Sequence, residues 1–322
     1  MNEKYERSFY IGLDTSAYTT SLALVDQAEE LLIDSRLTLP VTKGNLGLRQ
    51  SEAVFHHVNN LPRLWPGGVE DLRGGTLRAI TAATQPRPVE GSYMPVFKVG
   101  EAFGLFLAQT NGLNFLPSTH QEGHVMAGLW SAELPAGRYL TLHLSGGTTE
   151  IVVSEESSPG KLNLTLLGGS SDLNAGQFID RLGKAMGLNF PGGPQLEELA
   201  CNAESNLPLL TTAVCGNTVS FSGPASQAER LLQGGCSRSN LARAVEICIA
   251  DSLIAALHHE LKKNSSYDGL LIVGGVASNR FIRQRLKSGL DQFISIHFAL
   301  PKYASDNAVG LAVQAARMTK SL

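Results

Sequence analysis

The chain has 322 residues, 43% apolar and 17% charged, which is enough apolar surface for two domains or one two-lobed unit. Lys and Arg number 26 against 29 Asp and Glu, a formal charge of −3, so the chain is no polyanion-binding tail, and any nucleic-acid contact falls to a local patch or a partner subunit. The polar opening predicts no signal peptide, no apolar run reaches the roughly 18 residues of a membrane span, and four scattered cysteines (Cys201, Cys215, Cys236, Cys248) read as reduced thiols of a cytoplasmic protein.

Residues 9–13 form an apolar run ending in Asp14-Thr15-Ser16, and a second run at 20–25 follows a short polar turn, which predicts a β-hairpin. Residues 31–39 supply a third strand. Over 47–64, Leu48, Val54, Val58 and Leu61 recur at helical spacing. Residues 78–83 read as a buried strand broken by Gln85-Pro86-Arg87-Pro88, and 99–111 as a helix with Gly112 at its C′ position. A helix over 120–130 follows, and Leu134-Pro135-Ala136-Gly137 marks a boundary. The second half repeats the opening: a strand at 139–144, the tight turn Ser145-Gly146-Gly147-Thr148-Thr149, then strands at 150–154 and 161–167. Helices are predicted over 174–186, 195–203 and 240–263. A buried strand at 269–273 ends in Gly274-Gly275-Val276, and helices over 278–288 and 305–318 follow. The repetition is of pattern rather than of residues, and it predicts two α/β lobes around a cleft.

Three turns stand directly after apolar strands: Asp14-Thr15-Ser16, Ser145 to Thr149, and Gly274-Gly275-Val276-Ala277-Ser278-Asn279. Glycines let the backbone approach a ligand, successive N–H groups make an anion nest, and a helix starting near Ser278 offers its positive end to a phosphate or ribose. One such turn is most often only a turn; three together point to a nucleotide. In His120-Gln121-Glu122-Gly123-His124 the two imidazoles sit at i and i+4, on one helix face, close enough for one metal ion. A third ligand must come from elsewhere, and Asp306 in Ala304-Ser305-Asp306-Asn307 is a candidate. The competing readings are a polar helix face for the histidines and a helix cap for Asp306 or Ser305. His56-His57 and His258-His259 are adjacent pairs with structural or surface roles, and His143 alternates within a strand. Asp180 lies on an amphipathic helix, either solvated or placed to accept two ribose hydroxyls, and Pro191-Gly192-Gly193-Pro194 makes an open turn. No HExxH, GxSxG or GxxxxGK[ST] motif is present.

Taken in order, these motifs resemble the TsaD-type threonylcarbamoyl transferases, once called O-sialoglycoprotein endopeptidases and grouped as peptidase M22-like. The likeness runs from about residue 10 to 313, and includes Phe190-Pro191-Gly192-Gly193-Pro194, Ser220-Phe221-Ser222-Gly223 and Ser305-Asp306-Asn307 besides the turns above. It implies an actin/sugar-kinase/Hsp70-type α/β fold, with an RNase H-like lobe at 1–134 carrying the histidine pair, a second at 135–304 carrying the nucleotide motifs, and a closing helix at 305–322 packed back on the first. It also implies a divalent ion, iron or zinc, on His120, His124 and Asp306. Leu144, Ser145, Gly146, Gly147 and Thr148 would hold the phosphate and carbamoyl end of an ATP- or AMP-type adenylate. Asp180 and Gly193 would contact ribose, Gly275 and Asn279 would lie near adenine or its sugar, and Asp14 and Ser16 take the catalytic positions of the opening turn.

The implied reaction transfers threonylcarbamoyl from its AMP anhydride to N6 of adenosine 37 of tRNA, within a multi-subunit complex and with a homodimeric or related heterodimeric partner. The chain departs from the family where Glu-Thr-Ser-Cys-Asp-Glu-Thr becomes Asp14-Thr15-Ser16-Ala17-Tyr18-Thr19-Thr20 and where Ser-Gly-Gly-His-Thr-Gln becomes Ser145-Gly146-Gly147-Thr148-Thr149-Glu150. These losses leave two functions open: a divergent transferase, or a non-catalytic nucleotide-binding accessory that dimerises with a true family member. A fold alone does not carry a reaction.

Overall fold

The computed structural model describes residues 7–41, 47–65, 67, 72, 74–264 and 266–320. The hairpin forms as expected, β1 (Arg7–Thr15) against β2 (Thr19–Asp26), and β3 (Leu31–Thr38) extends the meander. Helix α1 (Gln50–Asn60) gives way to a 3-10 turn at Leu61–Arg63, where Pro62 lacks the N–H a longer helix would use. Strand β4 (Gly75–Gln85) pairs parallel with β1, and after α2 (Phe97–Thr110) β5 (Asn114–Thr119) pairs parallel with β4. Gly112 takes a φ of +63° just past α2, as its position suggested. Helix α3 (His120–Ser131) starts directly from β5.

The second sheet repeats this plan. Strands β6 (Arg138–Leu144), β7 (Thr149–Ser158) and β8 (Lys161–Ser170) form an antiparallel meander. Helices α4 (Ala175–Ala185) and α5 (Gly193–Ala200) follow, then the short β9 (Ala213–Cys215) and β10 (Thr218–Ser220), α6 (Ser222–Gln233) and the long α7 (Arg238–Lys263). Strand β11 (Gly269–Val273) pairs parallel with β6; α8 (Arg280–Leu290), β12 (Ile296–Phe298), α9 (Pro301–Ala304) and α10 (Val309–Lys320) complete the described chain. The strand orders are β3-β2-β1-β4-β5 and β12-β11-β6-β7-β8-β10-β9. The first five-strand order is contained in the second with equivalent pairings, so the duplication of pattern is a duplication of topology.

The second lobe's core lies between its sheet and α7, through Leu140, Leu142, Leu144, Val245, Ile249 and Leu253. A separate core joins Val125, Met126 and Leu129 of α3 to Leu271 and Val273 of β11 and to Val309, Ala312 and Val313 of α10, so α3 is packed from both sides. Helix α10 also lies on β1, β2 and β4. It reaches α3 closely because Gly310 has no side chain: a Cβ there would stand 2.0 Å from the Gly123 carbonyl oxygen.

The last two expected helices begin later than predicted. The helix expected over 305–318 starts at Val309: the Ala308 carbonyl accepts from the Ala312 N–H at 3.1 Å, and just before it Asn307 Oδ1 accepts from the Val309 N–H at 2.9 Å. Neither Ser305 nor Asp306 caps it. The helix expected from Ser278 starts at Arg280, after a 3-10 turn at Gly275–Ser278, with Asn279 as its cap. Among the described residues no helix is long and apolar enough to cross a membrane.

Candidate metal and nucleotide site

Helix α3 owes its start to Thr119, whose hydroxyl accepts from the Glu122 N–H while the Glu122 carboxylate takes the Thr119 N–H, a reciprocal capping box. This fixes His120 at the first helical position and His124 one turn on. Their Nε2 atoms lie 3.2 Å apart. Asp306, in the break between α9 and α10, brings Oδ1 to 3.4 Å from His124 Nε2 and 3.8 Å from His120 Nε2. One donor atom from each of the three falls within 4.8 Å of the others. Residues 120, 124 and 306 thus converge although separated by nearly the whole second lobe.

The opening turn supports this cluster. Ser16 donates its hydroxyl to Asp306 Oδ2 at 2.7 Å. Asp14, fully buried at the end of β1, places Oδ2 2.7 Å from His120 Nδ1. That bond favours the tautomer with hydrogen on Nδ1 and leaves Nε2 facing the other two ligands, the carboxylate–histidine arrangement that orients metal ligands. Burial opposes a charge on His120, yet Asp14 and Asp306 outweigh it and raise its pKa to about 9. Burial likewise works against the Asp306 carboxylate, and His124, His120 and Ser16 hold it below the usual carboxylate range. Two imidazoles and one carboxylate are a donor set that suits iron or zinc. The buried His124 Nδ1 and Asp14 Oδ1 have no partner, as fits a site built around something more than its own side chains.

The glycine-rich turn sits at the carboxyl end of β6. The Ser145 N–H donates to the Thr148 carbonyl at 2.8 Å, and Asn174 donates its side-chain amide to the Gly147 carbonyl at 2.9 Å. Thr149 Oγ1 accepts from the Ala175 N–H, which ties the first turn of α4 to the same place. Gly176 lies against Gly146 so closely that a Cβ would be 2.6 Å from its Cα. The positive end at this turn therefore belongs to α4, and not to the helix after Ser278. At that second helix the Asn279 side chain occupies the end itself, accepting from the Ile282 N–H at 2.9 Å and donating to Glu246 at 2.6 Å. The Leu144 backbone touches Gly274, so the turns after β6 and β11 stand side by side. Gly146, Gly147, Gly193 and Gly275 have open space where a Cβ would point. Asp180 is half-buried, accepts from the Gly192 N–H at 2.7 Å, and its carboxyl is raised by burial despite that bond.

Three further participants were legible only in part, His57 among them as a structural residue. His57, read as structural or at the surface, is fully buried, with Nε2 2.8 Å from the Ser16 carbonyl and Nδ1 2.9 Å from Thr20 Oγ1; it props the opening turn. Glu150, whose side chain is largely buried, joins the lobes by accepting from Arg87 and, at 2.6 Å, from Gln121 Nε2. His143 lies with its ring 4.9 Å from that of His124. Its alternation in a strand was visible; the helix it faces was not.

The family model for tRNA N6-adenosine threonylcarbamoyltransferase, TsaD, matches residues 52–313. The chain belongs to this family. A TsaD relative from Prochlorococcus marinus (strain MIT 9303), named tRNA N6-adenosine threonylcarbamoyltransferase, is 33% identical over 95% of this chain and 89% of its own length. A Thermus thermophilus protein of the same name is 31% identical, over 95% and 92%. The chain is also similar in structure to HypF from T. kodakarensis (TM-score 0.61, 12% identity, 98% of this chain and 48% of that one). A ROK-family glucokinase from Streptomyces griseus gives a TM-score of 0.52 at 12% identity, over 95% and 99%. These likenesses place the chain in the actin/sugar-kinase/Hsp70 fold.

Proposed function

We propose that this chain transfers a threonylcarbamoyl group from an adenylate mixed anhydride to N6 of adenosine 37 in tRNA. The observation that carries the reading is the convergence of His120, His124 and Asp306, braced by Asp14 and Ser16. In the transfer, the N6 amine attacks the carbamoyl carbon, the bond from that carbon to the phosphate oxygen breaks, AMP departs, and the amine loses one proton. An iron or zinc ion on the three donors would supply Lewis-acid polarisation of the carbonyl. The turn at residues 145–148, with the start of α4, would hold the phosphate through backbone N–H groups. Asp180 spends Oδ1 on Gly192, so Oδ2 is the oxygen left to accept from ribose, beside the open Gly193. Asn279 is committed to Glu246 and Ile282, so its part is to set the Gly275–Ser278 turn against the nucleotide rather than to read the base.

With a chain charge of −3, tRNA would be held through a multi-subunit complex in the cytoplasm. Exposed Phe55 and Val58 on α1 and Phe103 and Phe106 on α2 are the surface we assign to a second subunit, a related protein or another copy. The test is to incubate the purified protein and its complex with threonylcarbamoyl-AMP and unmodified tRNA, and to complement a strain lacking its own transferase. Modified adenosine supports transfer. Tight adenylate binding with no product in either assay overturns it in favour of the accessory role.

A further inference from the structure

The segment after β4 is anchored around Arg87. Gln85 Nε2 donates to the Arg87 carbonyl at 2.8 Å, the Arg87 N–H donates to Ser92 Oγ at 3.1 Å, and the Pro86 carbonyl accepts from the Gln121 N–H of α3 at 3.0 Å. From this fixed backbone the Arg87 side chain crosses to the other lobe, where Nη1 donates to Glu150 Oε1. Glu150 of β7 stands opposite His143 of β6, and opposite residues of an antiparallel pair share a face. Leu142, Leu144 and Ile151 point to the second lobe's own core. The face of His143 and Glu150 therefore looks at α3, where Glu150 Oε2 accepts from Gln121 Nε2 at 2.6 Å and the His143 ring meets that of His124. Gln121 follows His120 in the chain and Glu150 follows Thr149, so the guanidinium stands where the histidine cluster and the glycine-rich turn meet.

Both Glu150 oxygens are thus committed, and this side chain is only 11% exposed. The Arg87 side chain is 49% exposed, and its Nε and Nη2 have no partner among the described residues. A guanidinium pinned through one nitrogen and open along its other edge presents two parallel N–H groups, the fork that matches a carboxylate. Where the family motif ends in Gln, this chain has Glu150, whose charge is what holds a cation in that place.

We propose that Arg87 is a specificity-determining residue that binds the free carboxylate of the acyl group on the adenylate, with Glu150 and Gln121 positioning it. The inference rests on the transferase reading above. Threonylcarbamoyl carries the threonine carboxylate a short reach from the carbon under attack, and that carbon would lie between the glycine-rich turn and the histidine cluster. A plain carbamoyl group offers the fork nothing, so Arg87 selects acyl groups that end in a carboxylate.

The test uses the full-length protein and two hydrolysis-resistant acylsulfamate isosteres of threonylcarbamoyl-AMP, one with the threonine carboxylate and one with its primary amide. Calorimetry reads their affinities beside that of AMP. The wild type should prefer the carboxylate by about 10–100-fold, the worth of a charge-assisted pair. Arg87→Met should abolish the preference by weakening the carboxylate isostere alone. Arg87→Lys, which keeps the charge without the fork and guards against misfolding, should leave an intermediate preference. Glu150→Gln should reduce the preference as well, since a neutral amide holds the guanidinium less firmly. A mere brace between the lobes would instead weaken AMP and both isosteres alike in Arg87→Met, and that result overturns the proposal. So does a wild type with equal affinity for the two isosteres, or a preference unchanged in both Arg87 variants. Failure of transfer to tRNA with the preference intact overturns the transferase reading alone. A wild type that binds neither isostere nor AMP overturns both.

Discussion

Replacing Glu246 by Gln should leave stability unchanged near pH 4 and raise it by pH 8. The Glu246 side chain has no exposed surface, and it accepts from Arg243 and from Asn279, each at 2.6 Å. Burial nevertheless dominates, and with Glu197 adding repulsion it lifts the carboxyl from 4.5 to about 7 against the pull of Asn279 and Arg243. Between those two values the folded protein keeps a proton that the unfolded chain has released. The wild type is therefore favoured below about pH 4.5 and loses stability as the pH climbs to about 7, then levels off. A rise of that size corresponds to about 3 kcal/mol, an upper limit because Gln gives up the Arg243 charge pair. Urea unfolding of both proteins at pH 4, 5, 6, 7 and 8, followed by circular dichroism, reads the difference directly. Curves that stay parallel across this range, or a wild type that gains on the variant as pH rises, would refute the account.

Asp14→Ala removes the carboxylate that orients His120, and Co2+ affinity should fall by about 10–100-fold in equilibrium dialysis. Gly310→Ala sets a methyl group against the Gly123 carbonyl, and should cost about 1–3 kcal/mol or more in thermal unfolding while weakening ion binding, since α10 no longer seats on α3. With Gly176→Ala the added carbon collides with Gly146 and the Ser145 carbonyl, so AMP and ATP binding by calorimetry should drop at least about tenfold. Phe106→Asp changes a side chain 68% exposed; it should leave melting nearly unaltered and abolish association with a second subunit in size-exclusion chromatography.

The long periodic elements were readable because their patterns are strong. α7 carries its buried stripe through Leu241, Val245, Ile249 and Leu253, and the β1–β2 hairpin and the β6–β8 meander alternate around polar turns. What escaped was mostly short, with one exception, the 12-residue α6. β9, β10 and β12 have three residues each, too few for any period to register. β5 contains Pro117, a residue that argues against a central strand and is tolerated because this one lies at the sheet edge. Within the site, the i, i+4 spacing of His120 and His124 declared itself, whereas the contacts of His57, His143 and Glu150 did not. Those three act through partners on other elements, and nothing in a neighbouring residue signals a contact made across the fold. At the last helix the sequence leaves Asp306 between a cap and a metal ligand, and only the fold decides, because the Val309 N–H goes to Asn307 instead.

The bond between Ser16 and Asp306 spans 290 positions, and the histidine pair lies between them in the chain. Such a contact closes a loop of nearly the whole chain, and its closure entropy must be met before the bond can form. A half-folded molecule would thus present at most two imidazoles and hold a cation weakly. Capture of the ion would mark the completion of folding, and a labelled cation could follow that final step in real time.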